Sequence, residues 1–377
     1  MAPNTRREVS VQTVQDHVGG KNNNLNLIRM IAALAVVFSH SFAISSGTAT
    51  AEPGRESLGM TLGDIAVDIF FITSGFLVTK SLLSRADIID FVWGRALRVV
   101  PGLLVMLMLT VLGLGAWLTR APLQDYLSDG QTWVYLLKNT GLIAGAEFDL
   151  PGLFEGNPLQ AVVNGSLWTL PFEVGMYGAL ALLWLAVLWL RLDSRHFQRA
   201  ILLFAAGAAL FKLFAHYFFA SESHLLRLFQ MFFLGGAFYV LRAYIPLSRA
   251  AFVAAVALLA VAMPDRDSFF LVYNLVLGYV LLYLAFIPAG RIRAFNEVGD
   301  YSYGLYIYSF PVQQTLAAVI PGIEAWTMVI LSIGITLPLA VVSWYLVERH
   351  ALGYRQACAL GTRAVWSRLV PRGSETN

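Results

Sequence analysis

Long uninterrupted apolar runs limit what this sequence can fold into more than any other feature. About ten of them follow one another, at 25–46, 62–83, 99–118, 167–190, 200–219, 226–243, 248–263, 268–287, 300–320 and 325–347. A helix needs ~20 apolar residues to cross the hydrocarbon of a bilayer, and continuous rather than alternating runs exclude the strands of a membrane barrel. We therefore expect an all-α, polytopic integral membrane protein with about ten transmembrane helices.

Composition excludes several other classes. Only 13% of residues are charged and 58% are hydrophobic, whereas soluble domains carry about 25% charged residues. A net charge of +3 gives no reason to expect nucleic acid as a partner. The single cysteine, Cys358, forbids an internal disulfide and makes a cysteine-ligated metal cluster implausible. We expect the protein to bind no metal. We expect the lipid bilayer to surround it.

The distribution of basic residues predicts an orientation. With the N-terminus in the cytoplasm, 19 of the 26 Lys and Arg fall in inner segments and five in outer ones, as the positive-inside rule requires. Both termini are therefore expected to be cytoplasmic. Residues 1–24 are expected to form a disordered tail, 25–347 the membrane domain, and 348–377 a second tail. From residue 369 that tail reads as a thrombin-cleavage sequence left by an expression tag.

One outer connection, 119–166, is much longer than the others and is both acidic and aromatic. Long loops without obvious structure are usually functional or disordered. Two interpretations stay open. The segment is an interfacial amphipathic helix, or it is a lid that stacks a sugar-like acceptor against Trp133 or Tyr135.

Two ionisable residues in the first run share a helix face. Arg29 and His40 are eleven positions apart, which is about three helical turns and about 16 Å along the axis. Ionisable groups inside a membrane usually mark function. A long anionic molecule with its phosphates at Arg29 and its reactive end at His40 fits this spacing. The alternative is a snorkelling arginine beside a histidine that hydrogen-bonds a neighbouring helix.

Two carboxylates are expected at the depth of His40. Asp68 lies near the outer end of the second run and Glu173 near that of the fourth. A carboxylate beside an imidazole fixes its tautomer and stabilises the imidazolium, as a general base needs. The sequence does not decide which one partners His40, and Asp68 could instead cap a helix or bind a backbone group.

A pair of arginines follows the second run. Arg95 and Arg98 are three positions apart and face the same way on a helix at the cytoplasmic side. Paired guanidinium groups suit phosphate recognition. Positive-inside anchoring accounts for them equally well.

Five segments together carry a family resemblance. They are the Arg29–His40 spacing, FFITSGFL at 70–77, RALR at 95–98, SLWTLPFE at 166–173 and SYGLY at 302–306. In this order they resemble the acyltransferase 3 family of bacterial membrane acyltransferases, which acylate cell-surface carbohydrates. One departure is Ser309, at a position that is often His in relatives, so His40 is expected to act as base alone. We also expect a stand-alone member, with no esterase-like domain fused after the membrane region.

The resemblance implies what the site residues do. The donor is cytoplasmic acyl-CoA, most often acetyl-CoA, used as a co-substrate with no bound cofactor. The acceptor is a hydroxyl of a cell-surface or lipid-linked carbohydrate, and the location is the bacterial cytoplasmic membrane. The roles expected are base for His40, orientation for Glu173 or Asp68, acyl-CoA binding for Arg29, Arg95 and Arg98, and oxyanion or acceptor contacts for Ser74, Thr73, Tyr303 and Trp133.

A second class of function is a transporter or flippase for a glycolipid or small solute, because buried charges suit it too. No inverted repeat is visible between 25–190 and 200–347, although many transporters show one. The charged groups also concentrate in the first four runs. Oligomeric state stays open, since lipid-facing and partner-facing surfaces have similar compositions.

Overall fold

The computed structural model describes residues 12–20, 22–219 and 223–369. Within these residues the chain is helical, and its β pairing is one isolated antiparallel bridge between Thr13 and Pro246. Arg6, Arg7 and Lys21, which the predicted orientation counts among the inner basic residues, lie outside the described residues. The tail from residue 370 also lies outside them.

Thirteen helices of six residues or more occur in the described ranges. They are α1 Leu25–Ser46, α2 Leu62–Arg85, α3 Ile88–Met108, α4 Leu123–Ser128, α5 Gly130–Gly141, α6 Leu170–Trp189, α7 Ser194–Phe219, α8 His224–Val240, α9 Arg249–Ala262, α10 Arg266–Phe286, α11 Ser302–Val319, α12 Ala325–Ser343 and α13 Arg355–Leu369. Short 3₁₀ and α turns lie at Val14–His17, Ala49–Ala51, Arg55–Leu58, Ala116–Leu118, Gly165–Thr169, Arg291–Ala294, Phe295–Val298 and Arg349–Gly353, and π-helical segments at Leu109–Gly115 and Trp344–Glu348.

Each of the ten apolar runs falls on a helix. Seven helical stretches in the described part of the chain are long and apolar enough to cross a membrane, at Leu25–Ser46, Leu62–Arg85, Ile88–Leu118, Gly165–Trp189, Ser194–Phe219, Arg266–Phe286 and Ala325–Trp366. The other runs correspond to α8, α9 and α11, of which α8 and α9 are shorter apolar helices. The all-helical membrane protein is therefore confirmed, while ten spans and cytoplasmic termini stay predictions.

Local sequence sets the ends of the first two helices. Gly47 ends α1 with a φ of 78° and donates its N–H to Ala43 O, a left-handed position that favours glycine. Thr61 begins α2 with a reciprocal capping box. Its hydroxyl accepts from Asp64 N at 2.9 Å and its own N–H donates to the Asp64 carboxylate at 3.0 Å. Asp64 is thus fixed at the start of α2.

The core forms where α2 packs against α1 and α8. At the crossing with α8, a Cβ on Gly75 would lie 1.9 Å from Phe232 O, and one on Gly235 would lie 2.0 Å from Ile72 O. Small residues allow membrane helices to approach this closely. On the other side of α1, residues 301–311 at the start of α11 are all buried. The tyrosines of that segment therefore belong to the protein interior rather than to a membrane interface.

The described part of the N-terminal tail is folded, contrary to the expectation of disorder up to residue 24. Val14 is fully buried in a 3₁₀ turn, and its N–H donates to Ile245 O at 3.1 Å. Lys80 Nζ donates to Val18 O at 2.6 Å. The tail folds because it can bury an apolar side chain and satisfy backbone groups of the bundle, which its polar composition does not reveal.

The long connection 119–166 contains α4 and α5 followed by an irregular segment. Tyr126 is fully buried and its hydroxyl donates to Val111 O at 2.9 Å, which ties α4 to the end of the third span. Tyr135 is also fully buried, so it has no free face on which a sugar could stack. Trp133 as a residue is 41% exposed, although its indole N–H donates to Leu127 O. Of the two aromatic residues expected to contact an acceptor, the geometry leaves Trp133 accessible.

Candidate active site

A basic cleft opens at the end of the bundle where α1 begins and α2 ends. It has a volume of about 430 Å³. An adjoining space of about 540 Å³ shares several of its lining residues, including Asn26 and Leu77. Six basic side chains line the cleft: Arg29, Lys80, Arg85, Arg95, Arg98 and Arg355. Volumes of this size are typical of small-molecule sites.

One carboxylate joins two of the expected donor-binding arginines. Asp300 lies in the connection before α11, 2.5 Å from Arg98 Nη2 and 3.4 Å from Arg29 Nη1. The guanidinium of Arg98 also lies over the rings of Tyr303 and Trp344. The structure therefore brings Arg29 and Arg98 together on one wall of the cleft, with Asp300 between them.

Arg95 is held differently from Arg98. Its guanidinium lies 5.8 Å from the centre of the Tyr177 ring, and it forms no salt bridge within the described ranges. Its Nε is buried without a hydrogen-bond partner among those residues. A guanidinium with unused donors in a basic cleft has the capacity to bind an oxyanion.

A small internal cavity adjoins the cleft at Arg29. Its volume is about 30 Å³, close to the space that one water molecule occupies in the liquid. Four of the five motif segments contribute to its wall: Arg29, Phe70, Phe71, Thr169, Glu173, Tyr303 and Tyr306. Tyr306 joins two of these segments, because its hydroxyl bonds Thr169 Oγ1 at 2.6 Å and Ser166 O at 2.9 Å.

His40 lies on α1 beyond this cavity, about 16 Å along the axis from Arg29. Its ring packs edge-on against Phe310, with centroids 5.1 Å apart. The Nδ1 atom is buried and has no hydrogen-bond partner in the described part of the chain. The carboxylates whose charges act on His40 are Glu52 and Asp64. Glu52 in turn accepts a short hydrogen bond from Ser39.

Asp68 does not contact His40. It is fully buried, accepts from Tyr273 Oη at 2.9 Å, and lies 3.4 Å from Arg227 Nε. This last contact is an ion pair without hydrogen-bond geometry, because both of its atoms lack a hydrogen-bond partner among the described residues. The expected meeting of Asp68 with His40 is thus not present in the structure.

Glu173 and the expected oxyanion donors are bound within the protein. Glu173 accepts from Tyr177 in a short hydrogen bond and from Ser74 Oγ at 3.3 Å. The Thr73 hydroxyl bonds back to Ile69 O at 2.8 Å, and Tyr303 Oη donates to Val99 O at 2.7 Å. Glu173 therefore lies on the internal cavity, but no hydrogen bond links it to His40.

Comparison with known proteins identifies the family. Residues 22–347 match the acyltransferase domain family. The chain belongs to this acyltransferase family. A protein of Shigella phage Sf6 named O-acetyl transferase is 28% identical over 353 residues, which is 88% of this chain and 96% of the relative. Nodulation protein 10 of Rhizobium leguminosarum bv. viciae is 31% identical over 199 residues, which is 52% of this chain and 51% of that protein. No solved structure matches the chain significantly.

The sequence did not predict several residues in and around the candidate site. Asp300 and Arg355 line the cleft, and Glu52 acts on His40. Glu348 is fully buried in a π-helical turn and accepts from Ser343 Oγ at 2.9 Å. π-helical turns occur frequently at functional sites. Asp300 and Glu348 each lie at the edge of an apolar run, and this position is the sequence feature that could have marked them as candidate site residues.

Within the described residues, no group of three or more His, Cys, Asp or Glu side chains could hold a metal ion. What the arrangement offers is a cationic cleft, a small cavity that adjoins it at Arg29, and a histidine with a buried Nδ1 further along the same helix. These parts suit the binding of a phosphorylated donor and proton transfer at a distance from its phosphates.

Proposed function

We propose that this acyltransferase moves an acyl group, with acetyl as the first candidate, from cytoplasmic acyl-CoA to a hydroxyl of a cell-surface or lipid-linked carbohydrate. The observation that carries the proposal is Arg29, which lines both the basic cleft and the internal cavity and shares a helix with His40. The name of the phage Sf6 relative, O-acetyl transferase, supports the acetyl group and the oxygen acceptor.

Donor binding uses the cleft. The phosphates of acyl-CoA pair with Arg95, Arg98 and Arg29, since guanidinium groups bind phosphate through parallel charge-assisted hydrogen bonds. To do so they compete with Asp300 for Arg29 and Arg98. Arg95 has no such competitor in the described structure, so it offers the strongest single contact.

The acyl arm then passes the internal cavity. A space of about 30 Å³ is too small for the arm of acyl-CoA, so binding must move the side chains that surround it. Phe70 and Tyr306 are in edge-on contact across the cavity, and their rotation or separation is the smallest change that opens the path.

Proton transfer at His40 completes the reaction. Neutral His40 removes the proton from the acceptor hydroxyl as that oxygen attacks the thioester carbonyl. The tetrahedral intermediate collapses, the carbon–sulfur bond breaks, and the CoA thiolate takes up the proton from the imidazolium. Glu52 and Asp64, whose charges act on His40, stabilise the imidazolium in place of the roles first expected for Asp68 and Glu173.

Thiol release tests the proposal. Purified protein is supplied with acetyl-CoA and a surface-glycan fraction, and the released thiol of CoA is measured together with acetyl-CoA binding. We expect His40→Ala to lower turnover by about 10²- to 10⁴-fold while acetyl-CoA binding is unchanged. His196→Ala, which changes an exposed histidine paired with Asp193, is the matched control and is expected to behave as wild type.

Two results would overturn the assignment. Thiol release by His40→Ala at the wild-type rate would remove His40 from the chemistry. A wild-type protein that binds no acetyl-CoA would favour a transporter or flippase instead. His40→Gln guards against misfolding, because it keeps a polar side chain of similar size and should also bind donor without turnover.

A further inference from the structure

A second polar cavity lies at the opposite end of α2 from the basic cleft. Its volume is about 290 Å³, and it shares no lining residue with the cleft or the internal cavity. It lies between the start of α2, the end of α7 and the starts of α8 and α10, beside the short helix Arg55–Leu58. The distance from Asp64 to Lys80 along α2 is about 24 Å, so the two spaces are well separated.

Permanent positive charge exceeds negative charge around this outer pocket. Four cationic side chains line it, namely Arg55, Lys212, Arg227 and Arg266, against the two carboxylates of Asp64 and Asp267. Asp64 pairs with Arg227 Nη1 at 2.8 Å and with Arg55 Nη2 at 3.6 Å, and Asp267 lies 3.1 Å from His216 Nε2. Asp68 also lies 3.4 Å from Arg227 Nε. The four lining cations therefore face three carboxylates, and this balance favours an anionic ligand.

Arg227 is a largely buried member of these cations. Its side chain is 14% exposed, and Nη1 donates to Asp64. Its Nη2 is buried with no hydrogen-bond partner in the part of the chain that the structure describes. A buried guanidinium that keeps an unused donor is costly unless a ligand or water completes its hydrogen bonds.

The rest of the lining is aromatic and apolar. Phe270 lines the pocket and stacks on His216 with ring centroids 3.8 Å apart, and Phe269 and Tyr273 continue the same wall. The Arg266 guanidinium donates to Glu56 O in a short hydrogen bond, which ties the Arg55–Leu58 turn to α10. Polar donors beside an aromatic wall are typical of pockets for compact polar molecules such as sugars.

Asp64 connects the outer pocket with the reacting end of the site. It lines the pocket, and a Cβ on its chain neighbour Gly63 would lie 3.2 Å from the Oγ of Ser39, the residue before His40. We infer that the outer pocket binds the carboxylate or phosphate group of an acidic sugar in the acceptor and so presents a hydroxyl of that glycan to His40. This inference rests on the proposed function, because it assigns the acceptor's chemical class.

Binding of small acidic sugars to the purified protein tests the pocket directly, without acetyl-CoA. The probes are glucuronic acid, glucose 1-phosphate, glucose and inorganic phosphate. The variants are Lys212→Gln and Arg266→Gln, which remove charge but keep a polar side chain. Arg199→Gln is the matched control, since Arg199 is an exposed basic residue at the other end of α7.

We expect both acidic sugars to bind wild type and Arg199→Gln alike, and at least about 10-fold more weakly to each pocket variant, which corresponds to about 1.4 kcal/mol. Glucose binding as well as glucuronic acid would overturn the requirement for an acidic group. Inorganic phosphate binding as well as glucose 1-phosphate would overturn recognition of a sugar. Unchanged affinity in both pocket variants would overturn the site itself.

Acetyl-CoA binding and thiol release, measured on the same samples, separate this inference from the proposed function. Acidic-sugar binding that is lost in the pocket variants, in a protein that neither binds nor cleaves acetyl-CoA, supports the pocket and overturns the transfer. Acetyl-CoA cleavage that depends on His40, with no acidic-sugar binding to wild type, supports the transfer and overturns the pocket.

Discussion

Asp68 and Asp300 are both held by arginine, yet they serve different parts of the molecule. Asp68 has a fully buried side chain and is enclosed by Tyr273 and Arg227. Asp300 is 13% exposed and pairs with Arg29 and Arg98 on the wall of an open basic cleft. The first carboxylate neutralises a buried charge, whereas the second holds arginines to which, in the proposed function, a donor phosphate binds. Access to open space, rather than residue type or depth, is what distinguishes the two carboxylates.

The largest effect that we expect tests the structural role of Asp68, and it is an effect on stability. We expect Asp68→Ala to lower the free energy of unfolding by about 3–5 kcal/mol, because it leaves Arg227 buried without a full complement of charge. Unfolding of the purified protein in detergent measures it. Asp193→Ala, at an exposed ion pair, is the control. An Asp68→Ala protein that is as stable as wild type but inactive would return Asp68 to the catalytic role first expected for it.

The next effect concerns the cleft. We expect Arg95→Gln to weaken acetyl-CoA binding by about 10- to 100-fold, the loss of one hydrogen bond to a charged group worth ~1.5–3 kcal/mol. Stability should change little, since Arg95 has no salt bridge among the described residues. Equilibrium binding and thermal unfolding on the same samples separate the two readouts. Loss of stability with unchanged affinity would assign Arg95 to the structural group with Asp68.

A third prediction tests the close packing of α2 against α8, which lies between the basic cleft and the outer pocket. We expect Gly75→Ala to destabilise the protein by about 1–3 kcal/mol, because the new methyl group would collide with the backbone of α8 at Phe232. Gly207→Ala on α7 is the matched control, since no atom lies within 4 Å of the position of its Cβ. Comparable stability of the two variants in thermal unfolding would contradict the close crossing of α2 and α8.

The smallest effect extends the comparison to a partly buried ion pair in the 119–166 connection. The hydrogen bond from Lys138, at 3.0 Å, lowers the pKa of Glu147. A lowered carboxyl pKa stabilises the fold above the unfolded pKa, and that stabilisation is lost as the pH falls through the folded pKa. Hydrogen exchange around Glu147, corrected for its intrinsic pH dependence, should lose protection in that acidic range. In Lys138→Met the loss should begin at a higher pH, and an identical profile would show that the pair contributes nothing.

Local geometry explains what the sequence could predict. The shared face of Arg29 and His40, and that of Arg95 and Arg98, follow from helical periodicity alone. Apolar runs predicted where helices form, because each run needs only its own length and hydropathy. These features do not depend on how the helices pack.

Long-range packing explains what the sequence could not predict. Asp68 and Tyr273 are 205 positions apart in the chain, and no local pattern pairs them. The carboxylates that act on His40 are Asp64 at the start of α2 and Glu52 in the connection before it. They could not be assigned to His40 from the sequence, because this depends on how that connection folds back beside α1. Asp300 was overlooked because a single acid at the edge of a run looks like an ordinary surface residue.

The narrowness of the internal cavity also matters for the electrochemical gradient that a cell maintains across its membrane. A protein with a wide aqueous cleft at one end of its bundle and a polar pocket at the other risks becoming a leak for protons. With room for about one water molecule between Arg29 and Tyr306, the cavity cannot hold a file of water molecules. If the acyl arm passes here, as proposed, the same constriction would limit proton flow whenever the donor is absent.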